Sequence, residues 1–381
     1  MLPGIGVFGT GPLVKILVPI LNENGFKVEA IWSKTMQDAK DAAKELNVSF
    51  FTNQIDDVLL LKEVDLIFVL CAPFLHAQIS VKALGIGKHV VCDRPAGLSQ
   101  SDALRMVKAG QYYPSLISLI NYSFRFLPAF MHMQKAINEG YLISNVTLIE
   151  INVQCSYLYG TNEMYNWQCD DLMGGGILNL VGSHVIDLVS FLTNKRALRV
   201  NAVMRTFTHS SENINGIRYI SAPDFCTFQM DLEDSVLVCV TLKSHQICNS
   251  YQQEVMVSSN SGYLVVRGED LFGCQKSGRE EVLYCVIPNT SLSKPFTKGL
   301  FKMVAALKEA FLPVKERAGW IKEPVNLAAN FEDGLYVQAV LSALKESSRT
   351  LQWIRVKIMA EQPDTDALLS AAVRKTAIAA S

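Results

Sequence analysis

At 381 residues the chain is long enough for two domains, each with its own core. Its 35 basic and 36 acidic side chains nearly cancel, so composition predicts no nucleic-acid or anionic-membrane partner. Nine cysteines make an odd number with no Cys-x-x-Cys pair. Cys71, Cys92, Cys226 and Cys239 lie in apolar runs, the pattern of reduced, buried thiols rather than of a disulfide frame or a zinc site. The N-terminus has no basic n-region, Lys15 interrupts its apolar stretch, and cleavage there would remove the first strand. No run of about 18 uncharged apolar residues follows, so no membrane span is expected. These features predict a soluble, cytoplasmic protein.

Residues 1–120 alternate apolar runs with amphipathic stretches. Strands are expected at Ile5–Phe8, Lys27–Trp32, Asp65–Leu70, His89–Cys92 and Leu116–Ile120. Helices fall near 12–23, 35–46, 54–62, 74–85 and 99–112. Buried strands separated by helix-length segments imply right-handed βαβ units and a doubly wound parallel sheet. Pro19 inside the first helix should kink or unwind it. After Gly140 the period becomes two, with Cys226, Phe228, Met230 and Leu232 alternating with polar partners, as do Val236, Val238, Val240 and Leu242. Similar runs occupy 146–153, 199–207, 253–267 and 280–287, and Asn260-Ser261-Gly262 marks a hairpin. Such one-sided alternation predicts an open, mainly antiparallel sheet whose other face a second subunit would cover. Helical periods return at Lys298–Phe311 and Asn330–Ser347, a strand is expected at Leu351–Ile358, and Asp364–Ser381 should fray. The expected division is 1–122 for a nucleotide-binding Rossmann domain, 123–360 for an α/β substrate and dimerisation domain, and 361–381 for a flexible tail.

Chemistry enters at Ile5-Gly6-Val7-Phe8-Gly9-Thr10-Gly11-Pro12, an apolar strand running into Gly-x-Gly, with Leu13, Ile16 and Leu17 at helical spacing behind it. In a dinucleotide fold the first glycine makes the tight turn. The second lets backbone N–H groups approach a pyrophosphate at the helix N-terminus; the third would fall where Val14 stands. Any strand-to-helix turn uses the same short motif. At the end of the second strand NAD enzymes place a carboxylate for the ribose 2′-OH. Here the strand ends in Ser33-Lys34-Thr35, whose hydroxyls and ammonium suit a 2′-phosphate, although Thr35 also serves as a cap for the next helix. NADP(H) is therefore expected in preference to NAD(H).

Three further stretches carry a resemblance. They are Cys71-Ala72-Pro73-Phe74-Leu75-His76 followed by His89–Pro95, then Asn121-Tyr122-Ser123-Phe124-Arg125-Phe126-Leu127-Pro128, and then Asn166-Trp167-Gln168-Cys169-Asp170-Asp171 through Gly174-Gly175-Gly176 to Gly182-Ser183-His184 and Asp187. In order and spacing the chain resembles the glucose–fructose oxidoreductase, inositol dehydrogenase and MocA-like superfamily over residues 1–358. Pro223–Met230 and the third stretch are similar to its animal glucose–fructose oxidoreductase domain-containing branch. The resemblance implies a Rossmann domain holding NAD(P), and an α/β domain with an open sheet used for homodimerisation. It also implies a sugar or cyclic-polyol substrate between the two, and a C-terminal helix with Phe331-Glu332-Asp333-Gly334 packing back on the first domain. Gly9, Thr10, Gly11, Pro12 and Leu13 match the nucleotide turn. Cys71, Ala72, Pro73 and His76 match the loop after the fourth strand, and Asp93, Arg94 and Pro95 stand where the family has glutamate, lysine and a proline after a cis bond. Asn121 joins this cofactor set, and His184 matches the catalytic histidine.

Two positions depart from the pattern. Arg94 replaces the lysine and keeps its charge, but with a pKa above about 12 it cannot act as a base. Leu180 replaces an aspartate that would share a helix face with His184 and Asp187 and tune the histidine. Both put conventional hydride transfer in question. His184 is the remaining base of the right type; the plainer alternative is a histidine satisfied within an apolar helix. Arg94 reads either as a salt bridge to Asp93 or as a phosphate, nicotinamide or substrate contact. Trp167 and Asp170 read as a capped turn with an aromatic lid or as a sugar platform, Arg125 and Asn121 as interdomain hydrogen bonding or as substrate contacts, and Asp187 as bonding backbone groups or as doing chemistry. His76 has no second ligand at metal-like spacing and is expected in the cofactor loop, so no metal is expected. Three functions stay open: an NADP(H)-dependent oxidoreductase with altered chemistry, a nucleotide-binding interaction or sensor protein, and a nicotinamide-dependent glycosidase.

Overall fold

The computed structural model describes residues 2–155, 165–210, 219–246, 251–276, 278–286, 295–313 and 325–360. The expected 361–381 tail lies outside these. The first sheet is built from β1 (Gly4–Phe8), β2 (Lys27–Trp32), β3 (Phe50–Thr52), β4 (Val64–Val69), β5 (His89–Cys92) and β6 (Ser118–Ile120), all parallel. Between them run α1 (Pro12–Glu23), α2 (Met36–Glu45), α3 (Ile55–Leu59), α4 (His76–Gly85) and α5 (Gln100–Tyr112). Ile5, Val7, Phe8, Leu66, Ile67 and Val69 are fully buried because helices cover both sheet faces. Strand order β3-β2-β1-β4-β5-β6 reverses direction between β1 and β4, which opens a crevice above their C-terminal ends.

α6 (Pro128–Asn138) leads into the second sheet. Its strands are β7 (Val146–Gln154), β8 (Ala197–Arg205), β9 (Phe225–Leu232), β10 (Leu237–Lys243), β11 (Gln252–Ser259), β12 (Gly262–Arg267), β13 (Asp270–Gln275) and β14 (Glu281–Tyr284). α7 (Ser183–Thr193) precedes β8, and α8 (Pro295–Phe311) follows β14. β15 (Ala329–Asn330) then pairs antiparallel with β6 and adds to the first sheet, α9 (Phe331–Thr350) packs between α5 and β8, and β16 (Ile354–Arg355) closes the second sheet beside β8. All neighbours in that sheet are antiparallel except β7 and β10. Cys226, Phe228, Met230, Leu232, Val238, Val240 and Leu242 face the core, as alternation predicts.

The structure corrects several expectations. α1 runs through Pro19 without a break, because Pro19 lies on its exposed face, where water can take the carbonyl that the missing N–H leaves. β3 and β13 were not anticipated: β3 has three residues, too few to carry a period, and Gly273 interrupts the apolar alternation of β13. The last strand is only Ile354–Arg355. Cys92 and Cys226 are buried as expected, but Cys71 and Cys239 are half-buried; Cys239 alternates with the inward residues of β10 and so lies on the sheet face turned from the core. One helical stretch, Asp171–Thr193, is long and apolar enough to cross a membrane by length and composition, and its apolar window is buried inside the protein as core.

Candidate functional site

Gly9 closes β1 with φ +137°, and a Cβ there would lie 2.8 Å from the Leu70 carbonyl oxygen at the end of β4. Only glycine lets the two strand ends approach this closely. Gly11 caps α1 with ordinary extended geometry, yet a Cβ on it would meet nothing within 4 Å. No side chain caps α1 and no acidic residue stands in its first turn. This is the open, positively polarised helix end that a pyrophosphate needs. Pro12 and Leu13 form its first turn. Thr10 reaches across to Ser33, the two hydroxyls 3.4 Å apart. Ser33 is buried, Lys34 is exposed, and Thr35 caps α2 by accepting the Asp38 N–H. Thr35 thus does what the plainer sequence reading said.

His76 is fully buried, with Nδ1 2.9 Å from the Pro95 carbonyl and Nε2 2.9 Å from the Cys71 carbonyl. It ties the loop after β4 (Cys71, Ala72, Pro73) to the loop after β5. Burial lowers its pKa from the ordinary value, with both carbonyls and Asp93 opposing. The second loop carries Asp93 and Arg94 ahead of a cis Arg94–Pro95 bond. Arg94 donates from Nη1 to both Asp93 oxygens at 2.7–2.8 Å and from Nε to the Leu180 carbonyl at 3.4 Å. Asn121, at the end of β6, donates from Nδ2 to Asp93 at 3.0 Å. Its buried Oδ1 has no hydrogen-bond partner, and neither has the buried hydroxyl of Tyr122 beside it. An acceptor and a donor left open inside the cleft cost about 1–3 kcal/mol each unless something fills them. They fit a bound amide-bearing group such as nicotinamide.

His184 sits at 1% exposure, stacked on Phe124 at 4.7 Å and edge-on to Tyr122 at 5.8 Å. Burial, then the Arg94 guanidinium, pulls its pKa well below the ordinary value, so the imidazole is neutral at physiological pH. The segment before it, Leu178–Gly182, is π-helical rather than α-helical. Its wider turn keeps residues 180 and 184 on one face, and π turns recur at functional sites. Leu180 is 4% exposed and offers Arg94 only its carbonyl.

Arg125 and Asp187 are taken up by each other. Two guanidinium bonds of 2.8 and 2.6 Å join them, and Arg125 also pairs with Asp333 at 3.2 Å, which in turn meets Arg196 at 3.4 Å. Burial pushes the Asp187 carboxyl up to about 6 against the pull of Arg125, leaving the pair ionised at neutral pH. All four residues lie in the second of the two expected domains, so Arg125 does not make the expected interdomain bonds, and Asp187 is bonded to a guanidinium rather than to backbone groups or left open to a substrate. Asp170 accepts the Leu172 N–H at 2.9 Å and caps the turn after half-buried Trp167, as the plainer reading of that stretch has it. Sequence reasoning missed Tyr122, Phe124 and Arg196. Asp333, which forms a reciprocal capping box with Asn330, was also missed as an ion-pair partner.

The N-terminal part, residues 4–117, matches the family model described as oxidoreductase family, NAD-binding Rossmann fold. Residues 130–269 match the GFO/IDH/MocA C-terminal domain. The chain belongs to the GFO/IDH/MocA oxidoreductase family. It is 42% identical to glucose-fructose oxidoreductase domain-containing protein 1 of Xenopus tropicalis over 99% of this chain and 98% of that one. It is also 42% identical to domain-containing protein 2 of Homo sapiens, over 98% and 99%. Among solved structures, levoglucosan dehydrogenase in complex with NADH and levoglucosan superposes with a TM-score of 0.78 at 17% identity, covering 94% of this chain and 100% of that one. At that identity the likeness speaks for the GFO/IDH/MocA fold. The first matched model describes an NAD-binding Rossmann fold, and Gly9 and Gly11 lie inside the residues it matches.

Proposed function

We propose that the chain is an NADP(H)-binding, oxidoreductase-like protein acting on a sugar or cyclic polyol with an altered catalytic set. The observation that carries this is an uncapped Gly9–Gly11 turn together with a linked set of buried groups, in which Asn121 bonds Asp93, Asp93 holds Arg94, Arg94 reaches the Leu180 carbonyl, and Tyr122 meets the buried His184 ring. When bound, the nucleotide supplies or takes the hydride. Gly9–Leu13 hold its pyrophosphate, Ser33 and Lys34 its 2′-phosphate, and Asn121 its carboxamide. His184 accepts the substrate hydroxyl proton, and Arg94, locked to Asp93, fixes the substrate oxygen without taking a proton.

This set makes His184 a weak base. Protonation builds an imidazolium in a buried site beside a guanidinium, and Leu180 offers no carboxylate to offset it. Leu180→Asp should therefore raise the His184 pKa toward its ordinary value. Single-turnover absorbance at the nicotinamide band, over a panel of hexoses and cyclic polyols, is expected to rise at least about tenfold. An acidic limb near about pH 6 should appear in the rate profile, where the unmodified chain has none. An unchanged rate and profile in a folded variant would favour the second reading, a nucleotide-binding sensor protein, which the same depressed histidine supports.

The outer sheet face sets Gln229, Cys239, Glu150 and Met256 in one row of paired strands, few of them charged. We propose that a second copy covers it. Light scattering at micromolar concentration should give twice the 42.2 kDa chain mass; a monomer mass counts against the proposal.

A further inference from the structure

We infer that a second ligand site lies behind the Pro95–Leu98 loop, and that it takes a small anion carrying hydroxyl groups, of the sugar-phosphate class. A cavity of about 310 Å3 opens there between the loop, the Asp171–Gly174 turn, the end of β8 and the C-terminal half of α9. That volume stands at the lower end of small-molecule pockets, about 300–1,000 Å3. Neither Gly9, Gly11, Ser33, Arg94, Asn121 nor His184 lines it. The site is therefore separate from the nicotinamide crevice, although Pro95 and Asn179 stand one residue from Arg94 and Leu180.

Its chemistry follows from α9. Gln338, Lys345 and Arg349 recur at helical spacing along one face and all line the cavity. Lys345 pairs with Asp171 at 3.1 Å, whereas Arg349 has no ion pair or hydrogen bond among the described residues. Two cations against one carboxylate leave one positive charge in excess, held on an exposed guanidinium suited to bidentate phosphate binding. Deeper in, Gln338 is 5% exposed and gives its Nε2 to the Leu98 carbonyl at 2.8 Å, while its buried Oε1 has no partner. A buried amide oxygen without a donor is costly, and a bare phosphate dianion has no proton to offer it. A ligand that satisfies both ends needs a hydroxyl at one end and an anion at the other. Leu172, 85% exposed, and Met204 supply apolar surface for the C–H face of a sugar ring.

The test is isothermal titration of the full chain with glucose 6-phosphate, with glucose and inorganic phosphate as component probes. Saturable binding is expected, at least about tenfold tighter than either component, and Arg349→Ala should weaken it about tenfold or more. Gln338→Leu should remove the advantage over inorganic phosphate and leave phosphate binding unchanged, and Arg94→Met, which bears on the crevice alone, should leave the binding of glucose 6-phosphate and of inorganic phosphate unchanged. Arg349 is exposed, so its variant keeps the fold. Absence of saturation, equal binding of phosphate and glucose 6-phosphate, or retention in Arg349→Ala would each overturn the site. Loss in Arg94→Met with retention in Arg349→Ala would place the sugar phosphate in the nicotinamide crevice instead.

Discussion

Replacing Arg125 by methionine is expected to destabilise the protein by about 3–5 kcal/mol. The guanidinium makes two short bonds to Asp187, which is 1% exposed, and a third contact to Asp333. Methionine of similar length leaves the Asp187 carboxylate buried with no cation against it. Removing one member of a buried pair costs far more than removing both, because the survivor keeps its desolvation penalty. Urea unfolding should show the loss in Arg125→Met, and Arg125→Met with Asp187→Leu should recover most of it. The pH dependence has a definite sign. Burial already raises the Asp187 carboxyl to about 6, above the ordinary value of 3.8, and loss of Arg125 raises it further. A carboxyl whose folded pKa is raised is penalised when ionised, so the variant's deficit shrinks as pH falls from about 7.5 to about 5. A deficit independent of pH, or a double variant no better than the single, would mean that the pair does not hold the two sheets together in this way.

Gly11→Asp is expected to leave the fold intact and to abolish nucleotide binding. The backbone there is ordinary extended geometry, φ −69° and ψ 177°, and a Cβ meets no atom within 4 Å. Aspartate is also a good helix cap, so the melting temperature should hold or rise. Its charge nevertheless falls where a pyrophosphate must sit. Two unit charges about 4 Å apart at an effective dielectric of about 20 repel by about 4 kcal/mol, or roughly a thousandfold in affinity. Fluorescence titration with NADPH and NADH should show a loss of at least about a hundredfold for both. Lys34→Glu should separate the two, weakening NADPH about tenfold while sparing NADH. If the unmodified chain binds NADH as tightly as NADPH, the reading of Ser33 and Lys34 is wrong. If Gly11→Asp binds both normally, the turn does not hold the nucleotide.

Much of the fold was legible in the chain itself. β1, β2 and β5 fall where apolar runs place them, and the inward rows of β9 and β10 follow from strict alternation. These signals are local: burial on two faces makes a continuous apolar run, and burial on one face makes a period of two. The Asn260-Ser261 hairpin was likewise readable, since β11 and β12 meet at Ser259 and Gly262. Short elements such as β3 escaped because three residues carry no period.

The candidate site divides in the same way. Resemblance to the family grouped Gly9–Gly11, Cys71–His76, Asp93-Arg94-Pro95 and Gly174–His184 as one expected site, which no single stretch of the chain could do. Sequence also exposed the two departures, Arg94 and Leu180. What it left open was how each side chain is used, since a partner distant in the chain decides that. Only the tertiary structure gave Arg125 to Asp187 and Asp333, His76 to the carbonyls of Cys71 and Pro95, and Asp170 to a cap. It likewise decided that His184 is buried against Phe124 beside Arg94 and therefore neutral. Residue type and spacing determine which groups arrive at the crevice. Burial and the charge of neighbours set which are ionised, and neither is encoded within one stretch of chain.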